Sequence, residues 1–176
     1  MFAGTDFMTI HPKLHMDAVD PLVFRRAMGA FATGVAVVTA LWKGEYHGMT
    51  MNSLTSVSLD PCMLLICPRR GSATGDAVVR SGEFVVNLLA THQQALSSRF
   101  VGAFEDRFAG IEVDRTEAGT PMLCGALAHI GCRVVDVHPA GDHDIIVAKV
   151  TFCRDGVGEP LVFYKGQFGG FADEPV

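Results

Sequence analysis

The chain has 176 residues, 49% of them hydrophobic, and a formal net charge of -5 at pH 7. That length favours one globular domain of the usual ~100–200 residues, and the apolar content excludes disorder as a description of the whole. The acidic balance, with no basic run longer than Arg25-Arg26 and Arg69-Arg70, argues against a general nucleic-acid or anionic-membrane binder, although either pair suits a local phosphate.

Residues 1–17, with His11 and His15 on either side of Pro12, read as a flexible leader, and 18–176 as one domain. The leader lacks the series of basic segment, apolar core and cleavage site that signals export. No apolar run reaches the ~18–20 residues of a membrane helix, so the expectation is a soluble, cytoplasmic protein. Asp20-Pro21 is a helix start, aspartate as N-cap and proline at the first helical position. Phe24, Met28 and Phe31 recur behind it at helical spacing, a face expected to pack into the core.

The β-branched run Val35–Ala40 predicts a buried strand, and Lys43-Gly44-Glu45 a turn into Tyr46–Thr50, together a hairpin. Further strands are expected at Met63–Cys67, stopped by Pro68, and at Glu83–Leu89. Helices are expected over Thr74–Arg80, capped by Thr74 or Asp76, and over Thr91–Phe100. Strands follow near Ala126–Val137, Ile145–Thr151 and Leu161–Tyr164. The fold class is mainly β with short helices, without the strand-helix alternation of a doubly wound sheet.

Cys62, Cys67, Cys124, Cys132 and Cys153 are an odd set in mostly apolar, strand-like surroundings, and are expected to be buried free thiols. The Cys62-x4-Cys67 spacing matches neither a redox CxxC nor a usual zinc pair, and no metal site is expected. There is no GxGxxG after a strand, no GxxxxGK[ST] and no GxSxG, so Rossmann, P-loop and esterase chemistry are not indicated.

The unusual segment is Gly48–Pro61, where Thr50, Asn52, Ser53, Thr55, Ser56 and Ser58 cluster between apolar strands. Short amide and hydroxyl groups let a planar polar ring approach the backbone. Taken alone, the segment reads better as a polar strand and turn with no ligand, since Ser and Thr clusters are common in loops.

Its order with other marks adds to this. Phe24-Arg25-x-x-Met28-Gly29-x-Phe31-x-Thr33-Gly34-Val35 precedes Gly48-x-Thr50-x-Asn52-Ser53-x-Thr55-Ser56-Val57-Ser58-Leu59-Asp60-Pro61. Phe84-x-Val86-Asn87-x-Leu89, Ser98-Arg99-Phe100, Phe108-x-Gly110, Gly141-Asp142-His143 and Tyr164-x-Gly166 follow. From about Pro21 to Phe171 the sequence resembles the flavin reductase-like family, the small reductase components of two-component flavin-dependent monooxygenases.

The resemblance implies a split β-barrel of the FMN-binding type that dimerises, with FMN or FAD near the subunit interface and NADH or NADPH as co-substrate. It implies that Gly48, Met49, Thr50, Asn52 and Ser53 line the flavin ring. Cys67, Pro68, Arg69, Ala73 and Thr74 approach the ring and its phosphate tail, and Arg99 and Phe100 lie near the phosphate or adenylate. A guanidinium at Arg99 suits phosphate oxygens. Asp142 belongs to the same set, and the one candidate catalytic residue is His143, expected on a loop at the barrel rim and facing the nicotinamide. A lone surface histidine remains the bland alternative. Tyr164 is open between stacking on nicotinamide or adenine and core packing.

Hydride transfer between stacked rings needs positioning and electrostatics rather than a triad. The expected activity is NAD(P)H-dependent flavin reduction, supplying a partner oxygenase. The alternatives are a flavoprotein that keeps its flavin and reduces a corrinoid or other metal cofactor, and a non-catalytic flavin-binding module.

Overall fold

The computed structural model describes residues 19–101 and 106–171; the leader expected over 1–17 lies outside them. In chain order the elements are α1 (Pro21–Gly29), β1 (Thr33–Gly34), β2 (Ala36–Trp42), β3 (Glu45–Met51), β4 (Leu54–Leu59), β5 (Cys62–Ile66), α2 (Ala73–Ser81) and β6 (Glu83–Leu88). A short 3-10 turn at Thr91–Gln93 leads into α3 (Gln94–Val101). Then come β7 (Val113–Arg115), β8 (Pro121–Leu123), β9 (Ala128–Ala140), β10 (His143–Asp155), β11 (Val162–Tyr164) and β12 (Gln167–Gly169).

Seven strands form one antiparallel sheet in the order β3-β2-β6-β9-β10-β5-β4. β3 and β4 follow each other in the chain yet form the sheet's two outer edges. Only a sheet curled on itself allows that, and the mainly β fold is a split barrel. The β2–β3 turn is Lys43-Gly44, with φ of 54° and 80°, a two-residue turn whose twist matches the strands it joins.

β2 explains why the Val35–Ala40 run does not alternate. Ala36, Val38 and Ala40 point into the barrel with Leu64, Ile66, Phe84, Val86, Ile146 and Ala148. Val35 and Val37 point the other way into a second cluster with Leu89, Phe100, Leu123 and Leu161. A strand covered on both faces reads as continuous apolar sequence. Asn87 ties the clusters together: it is fully buried, donates to Val37 O at 2.8 Å and Thr39 Oγ1 at 3.1 Å, and accepts from Leu123 N at 2.8 Å.

Three local expectations need correction. α2 is capped by Ser72, whose Oγ accepts from Gly75 N, so Thr74 is inside the helix and Asp76 in its first turn. Neither of the expected caps serves, because the chain turns helical before Thr74. Among the cysteines only Cys132 is buried, and Cys62 and Cys153 are exposed, because strand positions alternate between core and solvent. Most consequential, α1 begins on Asp20 and Pro21 as expected yet buries none of its residues. Phe24, Met28 and Phe31 are 61%, 52% and 68% exposed, because the helix stands outside the barrel. Among the described residues no helix is long and apolar enough to cross a membrane.

Candidate active site

The two edges of the barrel meet through residues Asn52 and Ser53. Ser53 exchanges hydrogen bonds with Cys67, accepting from Cys67 N at 3.1 Å and donating from Oγ to Cys67 O at 3.1 Å. Asn52 Nδ2 donates to Thr33 Oγ1 at 3.2 Å, leaving its second N–H and its carbonyl oxygen available. Three hollows converge here, and Asn52 lines all of them. One of about 370 Å³ lies between Met28 and Phe31 and the outer face of β4–β5 at Thr55, Leu65 and Cys67. A second, of about 290 Å³, runs along Ala32–Ala36 to Met51 and Leu88. The third, of about 170 Å³, lies between Thr50, Val101, Phe163 and Phe168.

Strand register carries this surface onward. Opposite each other on β5 and β10 are Leu65 and Val147, and one step further Ile66 and Ile146. Leu65 and Cys67 therefore share the outer face with Val147 and Ile145, and the next outward pair is Arg69 and His143, which form an isolated bridge. At about 7 Å for two strand residues and about 5 Å between strands, His143 stands within about 10 Å of the groove wall at Cys67. It is the first residue of β10 rather than a loop residue, delivered by the tight turn at Gly141-Asp142. Its Nδ1 is 2.9 Å from Asp142 Oδ1. The hydrogen bond from His143, followed by its charge, holds the Asp142 carboxyl below its ordinary value. Burial raises the Cys67 thiol.

The other expected residues divide into backing and rim. Gly48 is buried, and a Cβ there would meet the Phe100 ring at 2.5 Å and Phe108 at 3.1 Å. Phe100 is 1% exposed and packs edge-on against Phe108, centroids 5.0 Å apart. In the single chain neither Gly48 nor Phe100 is open to a ligand; they pack α3 against β3. Thr50 donates to Ser97 O at 2.7 Å, Met49 packs against the barrel core, and Pro68 and Thr74 are buried while Ala73 is exposed. Arg99 Nη2 donates to the carbonyls of Asp106 at 3.2 Å and Ala109 at 2.6 Å, which fixes residues 106–109. Tyr164 is 44% exposed, so core packing is excluded in this chain, and the Lys165 ammonium lies 5.1 Å over its ring.

Phe31, Thr33 and Phe168 line the hollows but stand outside the expected set. Phe31 and Thr33 lie within the first sequence mark, and reading Phe31 as a core residue hid it. Among the described residues no group of three or more His, Cys, Asp or Glu is arranged to hold a metal ion.

The family model described as flavin reductase like domain matches residues 28–172. The reductase subunit of a flavin-dependent monooxygenase from Rhodococcus jostii is 40% identical over 155 residues, covering 88% of this chain and 80% of that protein. The crystal structure of nitrilotriacetate monooxygenase component B from Mycobacterium thermoresistibile has a TM-score of 0.84 at 38% identity, covering 88% of this chain and 90% of that one. An NADH:FAD oxidoreductase from Streptomyces globisporus, solved with NAD and FAD fragments, has a TM-score of 0.83 at 33% identity, covering 90% and 98%.

Proposed function

This chain belongs to the flavin reductase-like family, and on that premise we propose that it is an NAD(P)H-dependent flavin reductase that supplies reduced FMN or FAD to a partner monooxygenase. The observation that carries the reading is the convergence of three hollows on Asn52, whose amide keeps donor and acceptor capacity unspent against an apolar wall. A flavin has the matching chemistry, an apolar ring body with a polar edge, and when bound it supplies the hydride-accepting ring system that no side chain offers.

The chain's own residues then have separable tasks. Phe31, Met28 and Leu65 cover the ring body and exclude water. Asn52 and Ser53 hydrogen-bond its polar edge, where fixed dipoles stabilise developing negative charge. Arg69, exposed beside the same groove wall, is available to a phosphate. His143, held by Asp142, orients the nicotinamide nucleotide, and Tyr164 offers an exposed ring for stacking. Arg99 acts one step removed, by fixing residues 106–109.

The exposed apolar face of α1 supports a homodimer in which a second copy covers Leu22, Phe24, Met28 and Phe31 and completes the groove. Charging that face with Phe24→Asp shifts the species seen by sedimentation from dimer to monomer.

The test of the activity is anaerobic. FMN or FAD mixed with the protein is treated with NADH or NADPH, and the visible flavin band is followed. The band bleaches faster than that of free flavin; an unchanged rate with both flavins and both nucleotides overturns the reading.

A further inference from the structure

The corner that carries Arg69 and His143 is assembled from two segments far apart in sequence, residues 68–71 after β5 and residues 141–144 at the β9–β10 turn. Backbone bonds join them: Asp144 N–H donates to Pro68 O at 3.0 Å, and Arg70 N–H donates to Asp142 O at 3.0 Å. One side chain spans the same junction twice more. Arg70 Nε lies 3.3 Å from Asp144 Oδ1, and Arg70 Nη1 donates to Gly141 O at 3.3 Å. Its guanidinium therefore grips both ends of the four-residue tip, with Asp142 and His143 between the two points of attachment.

We propose that Arg70 is a positioning residue, which clamps the 141–144 tip to the 68–71 segment so that the Asp142–His143 pair is held beside the groove wall. The inference rests on the reductase reading for its kinetic consequence but not for its geometry. Three features support a clamp rather than a contribution to overall stability. The side chains of Arg70 and Asp144 are 52% and 27% exposed, and partly exposed pairs of this kind add little to global stability. The tip is a turn at the end of a long hairpin, with Gly141 at φ 63°, and hairpin ends are where local opening is cheapest. A guanidinium delivers two donors in a fixed plane, so it sets the direction of the tip as well as its distance.

The imidazole gains most from this. His143 Nδ1 is committed to Asp142, which leaves Nε2 for a ligand, and its direction follows the backbone of the tip. Displacement of a positioned group by about 1 Å is enough to cost a large factor in rate.

The test compares wild type with Arg70→Ala, Asp144→Ala, His143→Ala, the double variant Arg70→Ala/His143→Ala, and Arg70→Lys. Amide hydrogen exchange is read at residues 141–144, and steady-state kinetics with NADH and FMN are read alongside. The expected result is faster exchange confined to the tip in both Arg70→Ala and Asp144→Ala. The kcat/KM for NADH falls about tenfold in each, while the flavin Kd stays within about twofold. The double variant is no worse than His143→Ala alone, because Arg70 acts through His143, and Arg70→Lys restores part of the loss. Unchanged exchange at the tip overturns the proposal, as do losses that multiply in the double variant. Wild-type protein that leaves NADH unoxidised overturns the reductase reading instead, and the exchange result still decides the clamp.

Discussion

The large hollow beside residues 115–122 and the groove around Asn52 make opposite use of polar groups. This hollow, about 420 Å³, lies between the outer face of β6, β9 and β10 and residues 115–122, with Arg115, Arg133 and Arg154 on its rim. Its arginines are engaged: Arg133 pairs with Glu83 at 2.9 Å, Arg154 with Asp114 at 3.0 Å, and Arg115 Nε donates to the Tyr46 hydroxyl. Its wall at Gly131 is closed by the Phe152 ring, which leaves no room for a Cβ. The Asn52 groove is divided into smaller spaces and has uncharged amide and hydroxyl groups with capacity left over, set against exposed Phe31 and Met28. Size does not separate the two. Unspent hydrogen-bonding capacity on an apolar surface does, because that is where a ligand gains most.

The sharpest way to test that contrast uses one thiol from each region. Cys132 borders the large hollow with its side chain packed into the barrel core, and its thiol is pushed up to about 12, chiefly by burial and secondarily by Cys153. Cys67 lines the groove, half-buried. With a maleimide at about pH 8, exposed Cys62 and Cys153 label first, and Cys132 labels slowest by a wide margin, because burial both shields it and lowers its thiolate fraction. Adding FMN slows Cys67 alone. Peptide mass spectrometry reads all four, and protection at Cys132 rather than Cys67 would break the comparison.

Asn52→Leu removes the unspent amide while keeping volume. It raises the flavin Kd about ten- to hundredfold in a fluorescence titration, the cost of one to two lost hydrogen bonds. Glu83→Gln, in the large hollow, leaves that Kd within about twofold. An effect of a different kind is expected behind the groove. Gly48→Ala forces a methyl group onto Phe100 and Phe108, costs about 1–3 kcal/mol, and lowers Tm by roughly 3–9 °C in calorimetry. Flavin added in excess recovers part of that fall by mass action.

The smallest effect is at Asp142. Its folded carboxyl titrates below the ordinary value because of His143, so the contact is present above the unfolded value and is lost as pH falls through the folded one. Wild-type Tm therefore drops slightly more than that of Asp142→Asn between about pH 5 and about pH 2. Thermal scans across that range check the sign.

Two asparagines show how far the sequence could be read. Asn87 and Asn52 both stand in sequence marks of the family, and nothing local distinguishes them. In the fold one is fully buried with both ends of its amide satisfied, bracing β2 against β8; the other is exposed with its carbonyl oxygen and one N–H free. Strands β2, β3, β5, β6, β9, β10 and β11, the β2–β3 hairpin and the Asp20 cap were legible because β-branched runs, paired turn residues and Asp-Pro act locally, whereas the hydroxyl-rich β4 and the short β1, β7, β8 and β12 were not. Phe31 was not, since an apolar stripe looks the same whether it faces a core or a groove. Nor were Arg70 and Asp144, whose pairing depends on two segments brought together by the β5–β10 register. Gly48 and Phe100 were found as a motif, but only the packing between β3 and α3 assigns them to the backing of the groove.

The claim on which the account turns is that the flavin ring lies at Asn52. A crystal structure grown with FMN or FAD tests it most directly. The ring is expected against Phe31 and the outer face of β4–β5, with its polar edge within hydrogen-bond distance of Asn52. A ring seated between β9 and residues 115–122, or density there and none at Asn52, would contradict it.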